Sequence, residues 1–189
     1  MKRILAVAFL LGCGIFMSGE LQAQVRSNVV KFNPLSLAVG TFNFSYERVL
    51  NDSKAVQLGV YFTSIGTDAL KYSGYGITPE YRLYLSESKG APEGWHVTPF
   101  LRYSSFNLST SAEGMEESAT MTTFGGGVVA GHQWLFGQSD RVTLDMYIGP
   151  KYDKASFKYE GSAGEEDFDL NGGLSGFWIR GGLTLGVAF

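Results

Sequence analysis

Residues 141–153 read Arg-Val-Thr-Leu-Asp-Met-Tyr-Ile-Gly-Pro-Lys-Tyr-Asp. Val142, Leu144, Met146, Ile148, Pro150 and Tyr152 share one parity, and Arg141, Thr143, Asp145, Tyr147, Gly149, Lys151 and Asp153 share the other. Successive side chains of a strand point to opposite faces, so this period of two is a strand signature. A helix would leave Asp145 inside the apolar stripe.

The same alternation recurs along the chain. Phe177, Ile179, Leu183, Leu185, Val187 and Phe189 oppose Trp178, Arg180, Gly182, Thr184, Gly186 and Ala188. Val56, Leu58, Val60 and Phe62 oppose Gln57, Gly59, Tyr61 and Thr63, and Tyr75, Ile77, Pro79, Tyr81 and Leu83 oppose Gly76, Thr78, Glu80, Arg82 and Tyr84. The pattern predicts strands near 29–38, 41–50, 54–64, 74–86, 95–107, 121–136, 141–155 and 175–189. Short turns of Asn, Asp, Ser and Gly separate some of them, as at 51–54 and 137–140. Segments 109–120 and 160–174 read as long loops, with eight acidic residues between them and no basic one. An even number of antiparallel strands with alternating short and long connections is the pattern of an all-β, eight-stranded, up-and-down transmembrane barrel.

Alternation alone does not say which face is inside. In a sandwich or soluble barrel the apolar face would be the core. Two features favour the inverse arrangement. The polar face is poor in Lys and rich in Gly, Thr and Tyr. The aromatics on the apolar face also sort to strand ends: Phe42, Phe62, Tyr75, Tyr103, Phe124, Tyr152 and Phe177 toward one end, and Trp95, Trp134, Phe136 and Phe189 toward the other. Two such girdles mark the two lipid–water boundaries of a membrane barrel. Pro34, Pro79, Pro99 and Pro150 fall inside the expected strands, where a missing N–H is expected to mark a bulge.

Composition agrees. Of 189 residues 44% are hydrophobic and only 17% charged, against ~25% charged in soluble domains. A net charge of −3 argues against a nucleic-acid partner. Lys2 and Arg3, the apolar stretch 4–17 and Leu21-Gln22-Ala23 read as an export signal over residues 1–23, with the barrel domain at 24–189. Cleavage after Ala23 removes Cys13, the single cysteine, so disulfides and thiolate chemistry are not expected. The rival is lipidation, with Leu10-Leu11-Gly12-Cys13 as a lipobox.

Three stretches carry a resemblance: Phe32-Asn33-Pro34-Leu35-Ser36, Phe44-Ser45-Tyr46-Glu47-Arg48 and Tyr72-Ser73-Gly74-Tyr75-Gly76-Ile77-Thr78-Pro79-Glu80-Tyr81. With a signal ending in Ala23-Gln24, the sequence resembles small outer-membrane β-barrel proteins of the Bacteroidetes, grouped as a domain family of unknown function. It is similar in architecture to the eight-stranded OmpA/OmpX type. The chain's end at Phe189, with apolar residues at alternate positions before it, resembles the signal read by the outer-membrane assembly machinery. The resemblance implies the cell outer membrane as location and membrane lipid as neighbour. Its motifs are structural and bring no catalytic residue.

The inward parity collects Glu47, Glu80, Asp145, Arg82, Arg102, Lys151 and Arg180. Buried charges must be paired, so these residues are expected to form an interior network that fills a narrow lumen. Catalysis is not expected. The two histidines are His96 and His132, and the lipid-modifying pattern of His with a nearby Ser is missing around His132. Asp167, Asp169 and Asn171 begin a calcium-loop pattern, but Trp178 stands where its closing Glu should be. They are weak metal candidates, and no cofactor is expected. Gly125-Gly126-Gly127 is expected to make room for interior rings. The function read from these residues is a monomeric, non-enzymatic outer-membrane barrel with a structural or surface-binding role, its acidic segments able to meet a cationic ligand. The alternatives are a soluble periplasmic barrel or sandwich holding a small apolar ligand and, behind it, a lipid-modifying enzyme.

Overall fold

In the computed structural model the described residues are 27–66, 70–86, 89–112, 115–137, 140–161, 164–168 and 175–189. The export signal, with Cys13 and Ala23, lies outside them, as do Asp169, Asn171 and the side chain of Asp167. The stretch 142–153 is a strand, as its parity requires, and it sits in a closed ring. The strands are β1 (Asn28–Phe32), β2 (Thr41–Asn51), β3 (Lys54–Gly66), β4 (Leu70–Tyr84), β5 (Gly94–Ala112), β6 (Met115–Phe136), β7 (Val142–Gly161), β8 (Gly164–Phe168) and β9 (Gly176–Ala188). From β1 to β8 each strand pairs antiparallel with the next in sequence, and β9 pairs with β7 and β1. β7 meets β8 along its last turn of residues and β9 along the rest, so β8 and β9 follow one another down a single staves' position. The fold is therefore an eight-stranded, up-and-down, closed antiparallel barrel. The ring closes at the terminus end, where β1 29–32 pairs with β9 185–188; among the described residues β9 from 176 to 184 pairs with β7 alone.

Four expectations need correction. The first strand stops at Phe32. Asn33 then caps a short helical turn, α1 (Pro34–Leu37), its side-chain oxygen accepting from the N–H groups of Leu35 and Ser36. Pro34 occupies the first helical position, where a missing N–H costs nothing. Gly40, at φ +68, turns the chain back into the sheet.

The described parts of the segments 109–120 and 160–174 are strand rather than loop. Ser111 pairs with Glu116 and Ala112 with Met115, and Glu160 pairs with Glu165. β5, β6 and β7 run to 19, 22 and 20 residues, about twice the ~9–11 that a tilted strand needs to cross a bilayer. The long hairpins project at the end of the barrel opposite the termini.

The strand prolines do not make bulges. The β4–β5 ladder pairs only at Ile77–Tyr103, Glu80–Phe100 and Leu83–Val97 around Pro79 and Pro99, but the register is constant through the gap. The β6–β7 ladder skips Pro150 in the same way. The register shift that does occur lies between Val49 and Asn51, beside the β2–β3 turn.

Gly125 and Gly127 serve backbone approach rather than ring packing. A Cβ at Gly125 would stand 2.2 Å from the Tyr152 carbonyl, and one at Gly127 would stand 2.2 Å from the Pro150 carbonyl. Room for rings is made elsewhere, at Gly76 for Tyr61, at Gly131 for His96 and at Gly182 for Tyr147.

The barrel has inverted polarity. Among the described residues the buried set holds fifteen polar or charged residues against ten apolar ones, while thirty-four large apolar side chains are exposed. The outward aromatics Phe42, Phe62 and Tyr75 stand in register across β2, β3 and β4. Tyr103 pairs with Phe124, and Tyr152 with Phe177. At the terminus end Trp95 and Phe136 are exposed, and His132 stands between Trp95 and Trp134, with ring centroids at 5.0 and 4.3 Å.

Gly131→Ala is expected to cost ~1–3 kcal/mol, the usual range for overpacking, because its Cβ would press on the Met146 carbonyl at 2.5 Å and the His96 ring at 2.8 Å. Gly181→Ala, whose nearest contact is 3.5 Å, is expected to stay within about 0.5 kcal/mol of the parent. Urea titration of the refolded barrel compares them.

Candidate functional site: the charged lumen

The lumen is layered from the terminus end upward. Its floor is apolar: Val49, Ala55, Tyr84 and Ala91 pack together, and the Ala91 N–H donates to the Asp52 carbonyl at 2.8 Å. This seals one mouth of the barrel with the β4–β5 connection.

Above the floor lies a cluster of two cations and two anions. Lys31 Nζ is 2.5 Å from Glu47 and 3.1 Å from Asp145. Arg82 meets Glu47 at 3.1 Å through Nη1 and Asp145 through Nη2. Each side chain is 0–1% exposed, so the attraction is little screened and the ions have lost their water. Neutral partners take up much of the remaining hydrogen-bonding capacity, although Arg82 Nε and Gln133 Nε2 stay buried without a partner. Gln133 Oε1 accepts from Lys31 at 2.5 Å and from Arg82 at 2.8 Å, and the Tyr84 hydroxyl donates to Glu47 at 2.6 Å. His96 Nε2 lies 3.0 Å from Asp145, and its Nδ1 lies 2.9 Å from the Thr98 hydroxyl.

One layer higher, Arg180 binds Glu80 at 2.5 Å, and Gln57 Nε2 donates to the other Glu80 oxygen at 3.0 Å. The Arg180 guanidinium also lies over the Phe100 ring at 4.2 Å and the Tyr147 ring at 5.1 Å. Higher still, Lys151 pairs with Asp153, two residues along the same inward face of β7. Arg102 stands at this upper level over the Tyr61 ring at 4.8 Å. Among the described residues no carboxylate lies within salt-bridge distance of Arg102.

The seven interior charges expected from parity therefore face the lumen, but they fall into separate layers. Glu47, Arg82 and Asp145 meet in one cluster, Glu80 and Arg180 in a second, Lys151 in a third pair, and Arg102 in none. Sequence reading missed Lys31, His96 and Asp153 as members. Lys31 was within reach of parity, since Val30 and Phe32 beside it are exposed and Lys31 is buried. The weak calcium candidates Asp167, Asp169 and Asn171 gain no described ligand geometry. Phe189 exchanges backbone hydrogen bonds with Asn28 at 3.1 and 2.9 Å, which fastens the last strand to the first.

A family model for proteins of unknown function, DUF3575, matches residues 7–168. The chain belongs to this family. No curated protein matches it, and no solved structure does. The matched span includes six of the seven interior charges, with Arg180 beyond it. For this DUF3575 member the layered lumen is thus the part of the molecule with chemistry to explain.

Arg82→Met is expected to cost ~3–5 kcal/mol, because it leaves Glu47 and Asp145 buried beside a single cation. Arg102→Met is expected to cost about 0.5–1 kcal/mol, the worth of a cation–π contact, with no carboxylate left behind. The urea midpoints of the two refolded variants give the comparison.

Proposed function

We propose that this chain is an outer-membrane β-barrel without enzymatic activity, and that its role is membrane-structural or surface-binding. The observation that carries the reading is the inverted polarity. Water cannot stabilise a closed wall of exposed Leu, Ile, Val, Phe and Tyr, whereas hydrocarbon can. A strand wall closed into a ring is also the β-structure that lipid permits. The two aromatic belts then lie at the two interfaces, with the termini in the periplasm and the long hairpins outside the cell. On this placement lipid is the partner of the wall, the assembly machinery reads the strand ending in Phe189, and the acidic hairpin ends are the surface open to a cationic partner. The barrel is read as a monomer, with β1 paired to β9 closing the ring within one chain.

The non-enzymatic part rests on access. His96, Thr98 and Asp145 form a hydrogen-bonded row of imidazole, hydroxyl and carboxylate, but Thr98 is 0% exposed and the other two 1%. A nucleophile sealed between the floor and the Lys31–Arg82 cluster meets no substrate. The soluble alternative would have to cover the apolar outer wall from water, and the exposed large apolar side chains of the described residues speak against it.

Fractionation tests the location. The protein is expected in the outer-membrane fraction, with faster gel migration before heating than after. Recovery in the soluble periplasm without detergent overturns the reading. Met146, 47% exposed near the middle of the β7 stretch 142–153 that pairs with β9, supplies a second check. Met146→Arg is expected to lower stability by ~2–4 kcal/mol in lipid vesicles, the cost of Arg near a bilayer midplane.

A further inference from the structure

The described inward charges are Lys31, Arg82, Arg102, Lys151 and Arg180 against Glu47, Glu80, Asp145 and Asp153. Four cations have acidic partners, and Arg102 is the remainder. Arg102 lies where two cavities meet. The upper one, about 380 Å³, is lined by Tyr61, Phe106, Met121, Trp178, Ser104 and the Lys151–Asp153 pair. The lower one, about 90 Å³, is lined by Tyr61, Thr184, Tyr147 and the Glu80–Arg180 pair among others. Arg102 and Tyr61 belong to both.

The upper cavity is close to the small end of the ~300–1,000 Å³ that small-molecule sites occupy, and it has their usual make-up of apolar walls with a few convergent polar groups. The rings of Phe106, Tyr61 and Trp178 and the Met121 thioether line it. The polar groups gather at its base. The Tyr61 hydroxyl is buried without a hydrogen-bond partner, in a residue only 5% exposed that lines both cavities. A donor left so costs free energy until a partner arrives. Arg102 offers a planar, permanently charged fork suited to a carboxylate, already held by the Tyr61 ring.

We propose that the upper lumen is a binding site for a small organic monocarboxylate with an apolar body. Its carboxylate pairs with Arg102 and accepts from the Tyr61 hydroxyl. Its body lies among Phe106, Met121 and Trp178. The charged cluster below closes the lumen, so the ligand enters and leaves by the hairpin end. The inference concerns the lumen and does not depend on which solvent meets the outer wall.

Trp178 provides the readout. In a Trp95→Phe/Trp134→Phe background it is the single tryptophan. The full barrel is refolded into phosphatidylcholine nanodiscs, or kept in buffer if it is recovered soluble, and titrated with 3-phenylpropionate and with its neutral amide, 3-phenylpropanamide. The acid is expected to change Trp178 emission saturably and to bind at least tenfold more tightly than the amide. Arg102→Gln is expected to weaken the acid at least tenfold and leave the amide unchanged. No saturable change with the acid overturns the proposal, as does equal affinity for acid and amide, or acid binding unaffected by Arg102→Gln. If that variant does not assemble, the acid-to-amide ratio on the parent chain decides alone, and a ratio near one overturns the proposal.

Discussion

The rest of the structure depends on the balance struck by Lys31, Arg82, Glu47 and Asp145. A barrel this narrow must fill its inside with side chains. If its outside is apolar, the filling has to be polar, because one parity of every strand is already committed. Four ions with their solvent removed are a costly filling unless each lone pair and proton finds a partner. Tyr84 beside Arg82 on β4, and Gln57, His96 and Gln133 from three further strands, supply most of those partners. The cluster thus ties together β1, β2, β3, β4, β5, β6 and β7 across the lumen. These ties are independent of the backbone ladder and specify one register. A one-residue slip of any strand would send its ion to the outer face.

Much of this was legible in sequence. Parity divided each strand into two faces by counting, and the Lys-poor polar face with the aromatics sorted to strand ends set the polar face inward. It named Glu47, Arg82 and Asp145, and it placed the aromatics that form the two belts. It could not say that Asp145 meets Arg82 rather than Arg180, since the pairing across a lumen depends on the stagger of the ring. His96 shows the same limit. Trp95 outward implies His96 inward, but its contact with Asp145, 49 residues away, is a property of closure. Lys31 was lost for a local reason. The slip of alternation at Pro34 looked like a strand irregularity, and the strand had in fact ended.

The long hairpins were illegible for a different reason. Segments 109–120 and 160–174 are rich in Ser, Gly and Glu, which local propensity reads as loop. β-structure there is imposed by neighbours. Once β5 and β6 are paired through Ser104–Thr123 and Ser105–Thr122, each further pair adds to an existing ladder. Strand propensity is weak beside pairing of this kind. Thr110, Thr120 and Thr122 also suit a pleated surface better than a loop. The composition was read correctly as polar and acidic, and the backbone state did not follow from it.

The two halves of the lumen differ in what their strands present. In the lower half every inward position from β1 to β7 carries a long side chain or packs against one, and the charges cancel. In the upper half β6 presents Gly127, Gly125, Thr123 and Met121, and β5 presents Arg102, Ser104 and Phe106. Small residues on one wall leave volume that the opposite wall does not take up. Gly125 and Gly127 are fixed as glycine by the close approach of the Tyr152 and Pro150 carbonyls, so the same backbone contact that tightens the β6–β7 seam also thins the wall beside Arg102. The open volume, the remaining positive charge and the unpartnered Tyr61 hydroxyl thus occur at one level of the barrel, above a cluster that has none of the three.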